Sequence, residues 1–109
     1  MKYFRIKKRK EFQTVFNGGK RIYSPCFKML YFKSGTLSMG ICVSKKHGKA
    51  HKRNRIKRLV REAFRNTCGE LEKPYSIIII PATEIEHTYS ALEKSLLICF
   101  KKVNECAKN

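Results

Sequence analysis

A chain of 109 residues supports one domain with one modest core, and an apolar fraction of 42% is too high for a disordered basic tail. The formal charge of +17 is concentrated, since residues 1–65 carry 20 Lys and Arg against 2 Glu, residues 66–109 carry 5 against 6, and Asp is absent. Such polarity implies a cationic surface for an anionic partner backed by a near-neutral scaffold. It argues against a metal-dependent nuclease, which needs clustered carboxylates to hold magnesium.

Residues 1–9 read as a basic arm without the apolar stretch of a signal peptide. A short helix is expected over residues 10–17, with Phe12, Val15 and Phe16 on one face and Gly18-Gly19 ending it. Pro25 separates an extended piece at residues 21–23 from a strand over residues 27–33. Alternation puts Phe27, Met29 and Tyr31 on one face of that strand and Lys28, Leu30 and Phe32 on the other. The second face mixes a cation with apolar groups and is the one suited to line a groove. Ser34-Gly35-Thr36 makes a tight turn, and residues 37–43 return as another strand. Residues 44–49 form a basic connection, including Gly48, into a long helix over 50–66 that Gly69 ends. Pro74 opens a strand whose centre, residues 77–80, is continuous isoleucine and so buried on both faces, and Pro81 stops it. A last helix over 88–106 turns Tyr89, Leu92, Leu96, Cys99, Phe100 and Val103 inward. The order α-β-β-β-α-β-α predicts one two-layer α+β domain over residues 1–109, without repeats or linkers. The crossover into the isoleucine strand is expected to be right-handed on general grounds.

Five cysteines, at 26, 42, 68, 99 and 106, form no CxxC pair and leave an odd one over. Cys26, Cys42 and Cys99 lie in apolar runs, where cysteine acts as a small hydrophobe. This usage fits a reducing, cytoplasmic setting better than a disulfide framework. The run at 77–80 is far too short to span a bilayer, so no membrane is expected as a partner.

From 45 to 65 the chain holds ten Lys and Arg and one acid, Glu62. Ile56, Leu59, Val60, Ala63 and Phe64 recur at helical spacing, which sends Lys57, Arg58, Arg61 and Arg65 to the opposite face with Arg55 flanking it. His51, Lys52 and Arg53 crowd the first turn, where a helix dipole favours anions. Cations there repel the dipole and one another until an anion arrives, and phosphate also matches the free N–H donors of a helix start. His47 and His51 are four apart, but they straddle Gly48 and have no third ligand, so no metal site is expected. The scattered Glu residues, Glu84 and Glu86 included, support no acid-base machinery. RNA is favoured over DNA because aromatics accompany the cations. Tyr3, Phe12, Phe16, Tyr23, Phe27, Tyr31 and Phe32 all fall in the basic half, and unpaired bases stack on such rings. Phe12 and Phe16, one turn apart around Val15, suit a core as readily as a stacking platform.

The run Arg53-Asn54-Arg55-Ile56-Lys57-Arg58-Leu59, followed by Arg61-Glu62-Ala63-Phe64-Arg65, resembles the characteristic motif of the bacterial ribonuclease P protein subunit. Gly40-Ile41-Cys42-Val43-Ser44-Lys45-Lys46 is similar to that family's strand-to-loop segment, Glu11-Phe12-Gln13-Thr14-Val15-Phe16 to its first helix, and residues 75–80 to its buried strand. The match covers nearly the whole chain in the right order. The resemblance implies an α/β sandwich of order αβββαβα with a left-handed βαβ crossover, against the general rule. It also implies a ribonucleoprotein endonuclease whose RNA subunit, with bound Mg2+, removes the 5′ leader of precursor tRNA. No catalytic residue, cofactor or small-molecule substrate is then expected of the protein itself. By matching positions, Arg53, Asn54, Arg55, Lys57, Arg58, Arg61 and Arg65 would bind ribonuclease P RNA. Phe12 and Phe16, with Lys45 and Lys46, would border a cleft for the single-stranded leader. Lys28, Leu30 and Phe32 lie on the cleft strand, where Leu30 stands at a position that the family often fills with an aromatic. The alternatives are a ribosomal or other structural RNA-binding protein, with no effect on cleavage, and a protein-only nuclease.

Overall fold

Four isoleucines in succession, Ile77 to Ile80, run through the middle of a five-stranded sheet, and the first three are fully buried. The computed structural model describes residues 3–108, so Met1 and Lys2 of the expected arm, and Asn109, lie outside it. The elements are β1 (Phe4–Arg5), α1 (Arg9–Gly18), β2 (Lys20–Tyr23), β3 (Phe27–Lys33), β4 (Ser38–Ile41), α2 (Ala50–Thr67), β5 (Tyr75–Pro81) and α3 (Tyr89–Ala107). Short 3-10 turns cover Lys45–His47 and Cys68–Glu70. Within the sheet the order is β1-β4-β5-β3-β2, with β5 antiparallel to β3 and parallel to β4. A central strand has no solvent face, which is why β5 reads as an unbroken apolar run.

Two expectations change. Residues 4–5 are not part of a free arm but a short edge strand, parallel to β4, with Ile6 following into the core. The fold is also more than two layers, because helices cover both faces of the sheet. One face carries α2 and α3 over Phe27, Met29, Tyr31, Met39, Ile77 and Ile79. The other carries α1 over a smaller core of Ile6, Val15, Leu30 and Ile78. The α2 stripe is as its spacing predicts, with Ile56, Val60, Ala63 and Phe64 buried. Phe64 joins the ring of Tyr3 edge-on at 4.9 Å and that of Phe100 at 5.7 Å. Beneath α3, burial pushes the Cys99 thiol up to about 11, and it raises those of Cys42 and Cys68 as well, so these groups stay protonated and unreactive at neutral pH.

What seats α1 on its face is polar as well as apolar. The Ser38 and Ser76 hydroxyls, from adjacent strands, both donate to one carboxylate oxygen of Glu11, at 3.0 and 3.1 Å. One row further along, Gly40 leaves room for the Phe12 ring, since a Cβ at Gly40 would stand 2.6 Å from its Cζ. Glu11→Ala is expected to destabilise the fold by about 1–3 kcal/mol, because the two buried hydroxyls, 3.0 Å apart, keep only each other and one of them loses its acceptor. Urea unfolding checks this, and an unchanged midpoint would mean that Val15 and Phe12 alone hold the helix.

Candidate nucleic-acid interface

The basic connection after β4 is built around a histidine. The Ser44 N–H donates to Nδ1 of His47 at 3.0 Å, which leaves the ring proton on Nε2 to be donated to the Pro81 carbonyl at 2.7 Å. The buried ring thus ties the Lys45–His47 turn to the end of β5, and Lys45 and Lys46 stand out into solvent. Gly48 follows with φ of +105°, a left-handed conformation that strains any residue with a Cβ, and this bend starts α2. Nothing in the sequence pattern marked His47 as this anchor, and its spacing to His51 pointed only to an unsupported metal pair. Among the described residues no group of three His, Cys, Asp or Glu side chains is placed to hold a metal ion.

α2 begins under electrostatic tension. Its N-cap, Lys49, offers no side-chain hydrogen bond, and the first turn holds no acid. By contrast α3 is capped by the Thr88 hydroxyl, which accepts from the Ala91 N–H at 3.3 Å. Unsatisfied N–H groups and cations together at one helix start form a receptor for phosphate. Along α2, Asn54, Arg55, Arg58 and Arg65 are exposed, while Arg53, Lys57 and Arg61 are half-buried. Arg55 meets Glu86 at 3.6 Å, both ends being well exposed, so the pair contributes little and leaves Arg55 free to exchange partners. On the other flank, Lys57 and Arg61 line a hollow of about 110 Å³ together with Arg5 and Phe12. The basic helix and the aromatic flank of α1 therefore share one edge of the molecule.

Strand register sorts the α1 face into rows. Ser38, Ser76 and Phe32 form one row, Gly40, Ile78 and Leu30 the next, and Ile80 with Lys28 the one beyond. Glu11 and Gly18 border the first row, and a Cβ at Gly18 would lie 3.0 Å from the Phe32 ring. Phe12 sits on the second row, with Phe16 one turn along the same flank and 37% exposed. That flank looks toward Lys28, Ile80 and Cys42, at the end of the sheet from which Lys45 and Lys46 project. Phe12 and Lys28 thus fall on the α1 face of the sheet with Phe16 on the flank of α1, while Lys45 and Lys46 stand exposed in the turn that follows β4. Leu30 is 1% exposed beneath α1 and supports this surface from below instead of presenting a side chain to it. Phe32 is separated from Lys28 by α1. On β2, Arg21 and Tyr23 extend this surface, paired with Leu30 and Lys28.

Comparison with known proteins follows the same lines. The family described as Ribonuclease P matches residues 1–104. The ribonuclease P protein component of Finegoldia magna is 38% identical over 112 residues, covering 98% of both chains. Among solved structures, the RNase P protein from Thermotoga maritima superposes with a TM-score of 0.80 at 32% identity, covering 90% of this chain and 96% of that one. The Staphylococcus aureus RNase P protein gives a TM-score of 0.80 at 30% identity, covering 94% and 96%.

Proposed function

The chain belongs to the bacterial ribonuclease P protein family, whose members act with an RNA to process the 5′ ends of precursor tRNAs, and from this membership we propose how its surface divides that work. It is the non-catalytic subunit of a ribonucleoprotein endonuclease. Arg53, Asn54, Arg55, Lys57, Arg58, Arg61 and Arg65 bind the catalytic RNA along the outer side and flanks of α2. Phe12 and Phe16, with Lys28, Lys45 and Lys46, border the cleft that takes the leader strand. The observation that carries this reading is the shared edge, where Lys57 and Arg61 meet Phe12 across one hollow. Two RNAs held there would lie side by side, their mutual repulsion screened by the cations between them.

The donors on α2 are ammonium, guanidinium and amide groups, which suit phosphate oxygen and not a divalent cation. Mg2+ is accordingly held mainly by the RNA, and the protein lowers the concentration needed. The β4–α2–β5 crossover is read as left-handed, as the family resemblance implies, against the usual preference. The working compartment is the cytoplasm, in keeping with cysteines of which Cys26, Cys68 and Cys99 are buried.

Phe16→Ala tests the cleft. Leader affinity is expected to fall about tenfold, within the range for one stacked base. Stability should change little, because the ring is already 37% exposed. Unaltered affinity for precursor tRNA with a lowered melting temperature would make the ring a packing element instead.

A further inference from the structure

Beside the C-terminal turn of α3, a cavity of about 310 Å³ opens at the end of the sheet where β3 finishes and β5 begins. Lys20 of β2, Phe32 and Lys33 of β3, Lys73 and Tyr75 at the start of β5, and Cys106 of the last turn of α3 line it. Among the described residues no carboxylate lines the cavity, and the neighbouring Glu72 is engaged by Lys108 at 3.3 Å. What opposes the three ammonium groups is the pair of helix ends at Gly18 and Ala107, which also border the space. Each helix C-terminus carries about half a negative charge, so a local charge of about +2 remains uncompensated.

The walls add direction to the charge. Tyr75 is 6% exposed, and its hydroxyl has no partner among the described residues, so the edge it keeps open faces the cavity. Tyr31, on the same sheet face and edge-on to Tyr75 at 5.5 Å, contributes a second ring. Aromatic surface beside clustered cations suits a base attached to a phosphate, and the volume admits one nucleotide but not a duplex. The approach is also laid out. Tyr23 and Arg21 continue the cleft surface onto the edge strand β2, and Lys20, which alternates to the other face of that strand, stands at the cavity mouth, so a leader strand reaches the cavity around the sheet edge.

We infer that this cavity seats one unpaired nucleotide of the leader upstream of the cleft, with its base against the Tyr31 and Tyr75 ring edges and its phosphate among Lys20, Lys33 and Lys73. The inference rests on the leader-cleft reading and extends it. The test uses the reconstituted holoenzyme with precursor tRNAs of short and long leader, comparing the unaltered protein with Lys33→Ala/Lys73→Ala. The long leader should bind more tightly to the unaltered holoenzyme. The double variant should remove that advantage, a loss of about tenfold, while leaving the short-leader affinity unchanged. Lys101→Ala/Lys102→Ala, the same charge change on exposed α3 residues outside the cavity, should leave the advantage in place. Cys106→Phe, which fills the cavity without altering charge, should abolish it.

Equal binding of both leaders, or an equal loss for both in the double variant, overturns the inference. So does weaker assembly with the catalytic RNA alone, which would assign the cavity to that RNA. Titration with AMP separates a free nucleotide from a strand. Tyr75 ring shifts upon AMP addition, with no effect of leader length, would likewise overturn the leader assignment. Failure of the short leader to be processed at all would instead strike at the leader-cleft reading itself.

Discussion

Replacing Arg55, Arg58 and Arg65 together with alanine is expected to weaken binding to ribonuclease P RNA by roughly a hundredfold at moderate salt, and to make the slope of log K against log salt shallower by about three. All three side chains are exposed and none lies on the apolar stripe of α2. The one ion pair that would be lost, Arg55 with Glu86, joins two well-exposed groups. Alanine also favours helix slightly more than arginine does. Removing cations from a helix with no acid in its first turn relieves repulsion as well. Thermal stability should therefore hold or rise while RNA affinity collapses. Salt-dependent binding and a melting curve on the same protein check both halves. A large drop in melting temperature would mean that these arginines serve the fold.

The opposite separation is expected at Phe64. Its ring is fully buried where α2 meets α3, edge-on to Tyr3 and Phe100. Phe64→Ala should cost about 3–5 kcal/mol, the usual range for emptying an aromatic site in a close-packed core. That is a large share of the stability of a domain this size. RNA binding should fail only as far as the protein unfolds, and should recover under conditions that refold the variant. Urea unfolding measures the loss. A cost below about 1 kcal/mol would show that the core collapses to fill the space.

These two residues also show what the sequence makes legible. Arg58 and Phe64 lie on opposite sides of one helix, and a 3.6-residue period separates them without any tertiary information. In the same way the unbroken isoleucines of β5 announced a strand covered on both sides. Lys28 and Phe32 were harder. Alternation places them on one face of β3, as found, but it cannot reveal that α1 crosses between them. That crossing depends on Glu11 finding Ser38 and Ser76, contacts separated by 27 and 65 residues in sequence. His47 escaped for the same reason, since its decisive partner is the Pro81 carbonyl, 34 residues away. β1 is only two residues long, too short for a period to register, and it exists because β4 offers a free edge. Local periodicity thus reveals elements and faces, whereas the assembly of a surface from several elements depends on long-range polar contacts.

The measurement that bears most directly on the account is cleavage of precursor tRNA across a magnesium titration, with ribonuclease P RNA alone, with this protein alone, and with both. The account predicts cleavage at the mature 5′ site by the mixture at magnesium levels where the RNA alone is slow, and none by the protein alone. An unshifted magnesium midpoint in the presence of protein, or cleavage without the RNA, would contradict it.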